Sequence, residues 1–140
     1  MKFEGIYTPV ITPHRTDGSI DRDAFVAQVE YLIASGVNGL INGGSTGEYY
    51  AQSMQERLEM ASLARELTKG RTHLMVGTVA IRLEDSLTMA EHAAKIVADS
   101  ILVGSPPYSV PTELENALNA LAIDRAADLP IMLYNYPGRM

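Results

Sequence analysis

Short apolar runs alternate with amphipathic segments along this chain, one pair roughly every thirty residues, and this rhythm constrains the fold more than any other feature. Such alternation is typical of βαβ units, in which helices join parallel strands. The predicted strands are apolar throughout, as expected for strands that are covered on both faces. They are Ile6–Thr12, Val37–Asn42, Leu74–Val79, Ile101–Val103 and Ile131–Asn135.

Four amphipathic helices are predicted in the gaps between these strands. Two of them begin with a capping box, in which a hydroxyl and a nearby glutamate satisfy each other's free backbone donors, at Ser53–Glu56 and Thr112–Glu115. Gly36 and Gly70 end the first two helices, since glycine readily takes the left-handed conformation found there. The predicted ranges are about Asp21–Ser35, Ser53–Gly70, Glu84–Ala98 and Thr112–Ala127, and the residues expected to face inward on the third helix are Leu87, Ala90, Ala93, Ala94 and Val97.

Five parallel strands fit either a doubly wound sheet or a barrel. A Rossmann sheet usually carries G-x-G-x-x-G after its first strand, whereas here Thr12 is followed by Pro13-His14-Arg15-Thr16. The distinctive residues follow the second, fourth and fifth strands instead, and a site spread over several strand ends is typical of a (β/α)8 barrel. The pattern therefore favours an α/β fold of one domain, residues 1–140, which holds the first five strands and four helices of a TIM barrel.

Composition excludes several classes of function. A net charge of -6 argues against a nucleic-acid or anionic-membrane partner, since both need a positive face. The absence of cysteine excludes disulfides, thiolate catalysis and cysteine-ligated zinc. There is neither a transmembrane-length apolar run nor a signal sequence, so we expect a soluble, cytoplasmic protein. His14, His73 and His92 lack metal-ligand spacing, so no metal or other cofactor is expected.

The loop after the second predicted strand, Gly43-Gly44-Ser45-Thr46-Gly47-Glu48, is the first candidate site. Its small residues let backbone N–H groups converge on an anion, and its two hydroxyls add donors. Because the lysine of a P-loop is missing, a carboxylate or carbonyl oxygen fits better than a nucleoside triphosphate. A plain glycine-rich turn is the competing interpretation. Glu48 is interpreted either as a general base or as a residue that hydrogen-bonds within its own loop.

Two further loops carry aromatic and charged residues. In Ser105-Pro106-Pro107-Tyr108, two prolines stiffen the loop and hold the Tyr108 ring in one place. Packing of that ring on a barrel rim is the alternative. The fifth strand leads into Tyr134-Asn135-Tyr136-Pro137-Gly138-Arg139. A phenol at a strand's C-terminal end is a candidate proton donor, and an arginine nearby is suited to pair with a substrate carboxylate.

These three motifs together, Gly-Ser-Thr-Gly-Glu, Pro-Pro-Tyr and Tyr-Asn-Tyr-Pro-Gly-Arg, closely resemble those of the dihydrodipicolinate synthase / N-acetylneuraminate lyase family. Their order and spacing agree over the whole chain, including Thr8-Pro9 and Thr12-Pro13 around the first strand. The resemblance implies a (β/α)8 barrel that binds pyruvate or another 2-keto acid as a Schiff base on a lysine. Such enzymes then add an aldehyde, cleave such an adduct or dehydrate a sugar acid.

The resemblance also implies roles for individual residues of the candidate site. Tyr134 matches the tyrosine that shuttles protons as a carbinolamine becomes an imine, and Ser45 matches the hydroxyl that relays that proton. Thr46 and the backbone of its loop, including Gly44, are expected to hold the keto-acid carboxylate.

Two further roles concern a partner subunit and the second substrate. Tyr108 resembles the tyrosine that crosses a dimer interface and completes the neighbour's relay, which implies a homo-oligomer, either a dimer or a tetramer. Arg139 resembles the guanidinium that meets the second substrate's carboxylate at the site entrance.

The largest departure from the family's pattern concerns the covalent catalyst. The Schiff-base lysine should follow the sixth strand, beyond Met140, while Lys2, Lys69 and Lys95 precede the first strand or lie late in helices, away from the active-site face. A closed barrel needs eight strands in roughly 250 residues. We therefore expect a fragment of a longer polypeptide, inactive at this length, rather than a native half-length protein.

Two smaller departures leave alternatives open. The segment Ile96-Val97-Ala98-Asp99 lacks the glycine that the family usually has there, and a β-branched residue tolerates a left-handed turn badly. Ser45 stands where lysine-pathway synthases more often carry threonine, which leaves room for an N-acetylneuraminate lyase type or a deoxy-keto-sugar-acid lyase or dehydratase. A non-catalytic half barrel that binds a carboxylate or a partner, and an unrelated phosphate-binding barrel, are the alternatives from other classes.

Overall fold

The computed structural model describes residues 3–136 and divides into two compact units, Met1–Leu74 and Met75–Met140. The first unit holds two parallel strands, in which Thr8 lies opposite Leu40, and two α-helices. Strand, helix, strand and helix follow each other as the alternating sequence pattern predicts. The elements of this unit are β1 (Tyr7–Pro9), α1 (Arg22–Ala34), β2 (Gly39–Asn42), two 3-10 turns (Ser45–Gly47 and Tyr49–Ala51) and α2 (Met54–Thr68).

The second unit continues the same alternation. Its central strand pairs in parallel with a strand on each side, with Val76 opposite Ile101 and Ile101 opposite Ile131. The two helices of this unit pack against each other and the central strand. The elements are β3 (His73–Gly77, which starts at the end of the first unit), α3 (Leu83–Lys95), β4 (Ser100–Gly104), α4 (Glu113–Ala127) and β5 (Ile131–Tyr134).

The ends of the strands differ from the predicted ends by a few residues. β1 stops at Pro9 rather than Thr12. Val10 nevertheless donates its N–H to the Ile41 carbonyl oxygen at 3.0 Å. β4 is longer than predicted and runs from Ser100 to Gly104, since a serine and a glycine at its ends hide the strand from an apolar pattern.

The burial of the strands agrees with the prediction in β3 and differs from it in β5. Leu74, Met75 and Val76 of β3 are fully buried, as expected for a strand covered on both faces. Leu133 and Tyr134 of β5 are instead 65% and 53% exposed. The apolar run of the fifth strand predicts the strand correctly but not its burial. An apolar run looks the same in the sequence whether or not another element packs on the strand.

Both predicted capping boxes are confirmed. The Ser53 hydroxyl oxygen accepts the Glu56 N–H at 3.3 Å, and the Ser53 N–H donates to the Glu56 carboxylate at 2.8 Å. Thr112 and Glu115 repeat the same pair of bonds at the start of α4. In α1 the predicted first residue, Asp21, is the N-cap, so the helix itself starts one residue later.

The end of the third helix is where the prediction is wrong. α3 ends at Lys95 rather than Ala98, and Val97 takes a left-handed conformation with φ 58°. The Ala98 N–H then closes the helix end by donating to the Ala93 carbonyl oxygen at 2.9 Å. As a result Ala98 is buried and Val97, expected to face inward, is 66% exposed.

The buried side chains of each unit come mainly from its helices and the strands under them. In the second unit, Met89 and Ala90 of α3 and Ile101 of β4 are at most 1% exposed. Met60 of α2 is likewise buried in the first unit, where a flexible methionine side chain fills core space. No helix within residues 3–136 is long and apolar enough to cross a membrane.

Candidate active site

The loop predicted after the second strand folds into a tight turn at the C-terminal end of β2. Gly44 leads in with an extended backbone, Ser45–Gly47 form a 3-10 turn, and Glu48 closes it in a left-handed conformation with φ 53°. Ser45 and Thr46 are both exposed. The two hydroxyl side chains therefore face solvent next to each other on the first unit, as a candidate binding turn requires.

Two polar side chains outside the motif hold this turn in place. The buried Thr12 hydroxyl donates to the Gly47 carbonyl oxygen at 2.8 Å. The Gln52 amide donates to the same oxygen at 2.7 Å and to the Thr12 oxygen at 3.0 Å. The sequence pattern does not reveal these bonds, because no spacing links a threonine after β1 with a glutamine before α2. The Glu48 side chain makes no hydrogen bond within residues 3–136, so it does not fix the turn.

Gly47 is required by the close approach of the turn to the end of β1. A Cβ atom at this position would lie 2.9 Å from the Val10 carbonyl oxygen, closer than real Cβ contacts come. Glycine is therefore the residue that fits without moving the backbone.

The segment that follows the turn is anchored on α2 by aromatic contacts. The Tyr49 ring meets the Tyr50 ring edge-on, with centroids 5.6 Å apart. The Arg57 guanidinium lies 5.0 Å from the centroid of the Tyr49 ring, and Arg57 is only 6% exposed. A cation–π contact strengthens when it is shielded from water, so this contact helps to fix the segment after the turn.

The second candidate loop, between β4 and α4, presents Tyr108 to water. The Tyr108 ring is 99% exposed, and its backbone takes a left-handed φ of 73°. At the start of the loop, the Ser105 hydroxyl bonds to the Asn116 side-chain oxygen at 2.7 Å and so ties the loop to α4. The alternative in which the ring packs on a rim is wrong for the described residues.

Tyr134 is the last residue of β5 and lies opposite Gly104 in the register of the second unit. Its side chain lines a cavity of about 240 Å³ together with Ser105, Asn116 and Leu133. Tyr134 and the start of the β4–α4 loop are thus brought together, whereas Tyr108 does not line this cavity. Arg139, the remaining predicted site residue, lies outside the described residues.

The two lysines of the described chain lie at the C-terminal ends of helices. Both lie late in their helices, as predicted: Lys69 caps the C-terminus of α2, Lys95 is the last residue of α3, and both are exposed. Helix C-termini of a βα unit lie at the edge opposite to the C-terminal ends of the strands. Within residues 3–136 no group of three or more His, Cys, Asp or Glu residues is arranged to hold a metal ion.

Comparison with known proteins assigns the chain to a family. The model of the dihydrodipicolinate synthetase family matches residues 2–140. The chain belongs to this family. A 4-hydroxy-tetrahydrodipicolinate synthase from Chelativorans sp. (strain BNC1) is 38% identical over 137 residues, which cover 98% of this chain and 47% of that protein. Another 4-hydroxy-tetrahydrodipicolinate synthase, from Koribacter versatilis (strain Ellin345), is 37% identical over 140 residues, which cover 99% of this chain and 47% of that protein. The chain thus spans about half the length of the curated relatives it matches.

Solved structures of family members give the same result for the fold. A prophage protein of the dihydrodipicolinic acid synthase family from E. coli K12, solved with pyruvate, superposes with a TM-score of 0.92 at 31% identity over 98% of this chain and 46% of that chain. The 4-hydroxy-tetrahydrodipicolinate synthase from Methylacidiphilum fumariolicum SolV has a TM-score of 0.92 at 33% identity, and the match covers 99% of this chain and 46% of that chain. The predicted class, part of a TIM barrel with five strands and four helices, is confirmed.

Proposed function

We propose that this chain is the part of a dihydrodipicolinate synthase-like enzyme that binds a 2-keto acid and moves protons during Schiff-base chemistry. The enzyme condenses pyruvate with an aldehyde or cleaves such an adduct. The lysine that forms the Schiff base lies in a segment C-terminal to Met140. The observation that carries the proposal is the match of the family model over residues 2–140.

The turn after β2 is proposed to hold the keto-acid carboxylate. A carboxylate accepts several hydrogen bonds, and donors that are already fixed in place bind it with little ordering cost. The exposed Thr46 hydroxyl and the backbone from Gly44 onward provide such donors, because the first N–H groups of a helical turn have no partner within the turn. The absence of a lysine in this loop favours a carboxylate over a polyphosphate.

Tyr134 and Ser45 are proposed to carry the proton transfers. A carbinolamine becomes an imine by losing water, which requires a proton on the departing hydroxyl. The Tyr134 phenol is the proposed donor, and the Ser45 hydroxyl relays the proton. The support from the structure is positional: within its own unit each residue lies at or just after the C-terminal end of a parallel strand, where TIM-barrel enzymes build their sites.

Tyr108 is proposed to complete the relay of a neighbouring subunit in a homo-oligomer. A fully exposed aromatic ring on a loop stiffened by two prolines is suited to insert into a partner at small entropic cost. Arg139 is proposed, on its sequence motif alone, to meet the carboxylate of the second substrate.

Reductive trapping tests the covalent mechanism. The full-length polypeptide that carries this chain, incubated with pyruvate and borohydride, should gain the mass of one reduced pyruvyl group on a single lysine. The 140-residue chain should gain none on Lys2, Lys69 or Lys95, and peptide mapping by mass spectrometry measures both outcomes. A full-length polypeptide without the adduct would show that the mechanism is wrong.

The role of Tyr134 has a matched control nearby in the sequence. Tyr134→Phe should slow imine formation about 10²-fold or more, the usual contribution of a positioned proton donor. Tyr136→Phe removes a phenol two residues further on and should leave the rate unchanged. Equal rates in the two variants would remove Tyr134 from the relay.

A second candidate, a keto-sugar-acid lyase or dehydratase, is kept open by Ser45, which stands where the family's lysine-pathway synthases more often carry threonine. Comparing turnover of pyruvate plus aspartate semialdehyde with turnover of keto-sugar acids by the full-length polypeptide separates the candidates. Activity with the semialdehyde alone would favour the synthase, and activity with the sugar acids alone would favour the second candidate.

A further inference from the structure

Three hydrogen bonds behind the Ser45–Gly47 turn join the side chains of Thr12 and Gln52 to the Gly47 carbonyl oxygen and to each other. A carbonyl oxygen only accepts, so the Thr12 hydroxyl and the Gln52 amide must both donate to the Gly47 carbonyl. The single proton of Thr12 is then used, and its oxygen accepts from the Gln52 amide nitrogen at 3.0 Å. These three hydrogen bonds form a triangle of Thr12, Gly47 and Gln52, and all three residues are buried or half-buried.

The triangle fixes the peptide plane between Gly47 and Glu48. The carbonyl edge of this plane is held by Thr12 and Gln52. The opposite edge carries the Glu48 N–H, which donates to the Ser45 carbonyl oxygen at 3.1 Å. Because a peptide group is planar, holding one edge also sets the other, so the triangle acts on the backbone of Ser45.

Glu48 makes this restraint necessary. Its φ of 53° lies in the left-handed region, which costs a residue with a side chain free energy. Rotating the Gly47–Glu48 plane by about half a turn would return the φ of Glu48 to negative values, which residues with a side chain ordinarily adopt. That rotation would also break the bond to Ser45 and open the turn, so the relaxed backbone competes with the observed one.

We propose that Thr12 and Gln52 are positioning residues, which block this rotation and keep Ser45 and Thr46 in the arrangement that receives a carboxylate. The inference rests on the proposed function of the turn. Thr12 is only 7% exposed, so it acts through Gly47 and not by touching a ligand. Its hydroxyl differs from that of Thr88, which only bonds back to the Glu84 carbonyl of its own helix.

The test is a titration of the isotope-labelled full-length polypeptide that carries this chain with pyruvate, followed by the amide signals of Ser45, Thr46 and Glu48. Thr12→Val and Gln52→Met should each weaken pyruvate binding about fivefold, because each removes one of the two side-chain hydrogen bonds to the Gly47 carbonyl oxygen. Thr12→Ser keeps the hydroxyl and should bind as the parent chain does.

Matched controls remove the same chemical groups elsewhere. Thr88→Val deletes an exposed hydroxyl that bonds to Glu84, and Gln55→Met deletes an amide that bonds to Glu59. Both should leave pyruvate binding unchanged. Equal loss in the controls and in the Thr12 and Gln52 variants would overturn the positioning role.

The remaining outcomes separate the inference from the proposed function. If Thr12→Val and Gln52→Met bind pyruvate as tightly as the parent does, the positioning role is overturned and the proposed function of the turn still stands. If the parent chain does not bind pyruvate, the carboxylate-binding role fails, and hydrogen exchange of the Glu48 amide decides the rest. Faster exchange in Gln52→Met, with α2 amides unchanged, supports the restraint, and unchanged exchange overturns it. Gln52 is half-buried, so this variant serves even where the buried Thr12 change unfolds the chain.

Discussion

Val97 adopts a strained backbone conformation that allows the end of α3 to complete its hydrogen bonds. A β-branched side chain in the left-handed region places its Cβ close to backbone atoms, which costs about 1–2 kcal/mol. Val97 nevertheless adopts this conformation because the next residue, Ala98, is buried and its N–H closes the end of the helix. Burial of the following strand thus outweighs the preference of a single residue.

Replacing Val97 with glycine should stabilise the chain. The strain disappears while the side chain lost is 66% exposed, and the larger entropy of unfolded glycine cancels part of the gain, which leaves up to about 1 kcal/mol. Urea unfolding measures the change. Val110→Gly is the control, because Val110 is 76% exposed and is not among the described residues with positive φ. A Val97→Gly chain no more stable than the parent would contradict the assignment of strain.

At the residue scale, the sequence predicts where the candidate residues lie in the fold better than it predicts their contacts. Ser45, Thr46 and Tyr134 are identified by motifs, and the structure puts them at strand ends. Thr12 and Gln52 escape prediction because their bonds join parts of the chain up to 40 residues apart. A long-range hydrogen bond leaves no local pattern, so only coordinates reveal it.

The capping boxes make two helix starts dependent on pH. Hydrogen bonds from the Thr112 N–H and hydroxyl hold the pKa of Glu115 below its usual range, and the Ser53 hydroxyl and N–H do the same to the pKa of Glu56. A carboxyl whose folded pKa is lowered stabilises the fold above its unfolded pKa. That contribution is lost as the pH falls through the lowered folded pKa.

Glu115→Gln should therefore lower the melting temperature at pH 7 and have a smaller effect well below the unfolded glutamate pKa of about 4.3. The neutral amide still reaches the cap but without charge. Thermal melts at neutral and acidic pH measure the difference between parent and variant. Glu113→Gln, in the same turn but without the cap bonds, should show a smaller pH dependence. A difference that stays constant across pH would contradict the role of the charged cap.

α4 offers a contrast between its two faces. Ile123 is 1% exposed, whereas Leu118 on the same helix is 56% exposed. Ile123→Ala should cost about 2–4 kcal/mol because it leaves a cavity, while Leu118→Ala should cost less than about 0.5 kcal/mol. Chemical denaturation of the two variants measures this ratio. Similar costs would mean that the leucine face of α4 is covered in solution.

Element types are predicted correctly along the chain, and their ends and burial less so. Helix starts are local hydrogen-bond patterns, which is why both capping boxes are found from the sequence. The 3-10 turns after β2 are short and have no periodicity to detect. The exposure of Leu118 and Leu133 depends on what lies beside an element, which a periodic pattern does not contain.

For the whole molecule, acidic charge and exposed leucines oppose each other. The net charge of -6 keeps chains apart at neutral pH, while Leu114, Leu118 and Leu133 are each more than half exposed. Turbidity should therefore peak near the isoelectric point of about 4.9, where repulsion vanishes. A Leu114→Gln/Leu118→Gln chain should give a lower peak at the same pH. A flat profile across pH would show that charge does not control association.

The exposed ring of Tyr108 has a spectroscopic consequence. The chain contains seven tyrosines and no tryptophan, so its ultraviolet emission comes from phenol rings alone. Tyr108 is 99% exposed, which makes it the ring whose surroundings change most when anything covers the β4–α4 loop. The protein thus carries an intrinsic optical reporter, and a dilution series of its fluorescence reads the occupancy of that loop without an added label.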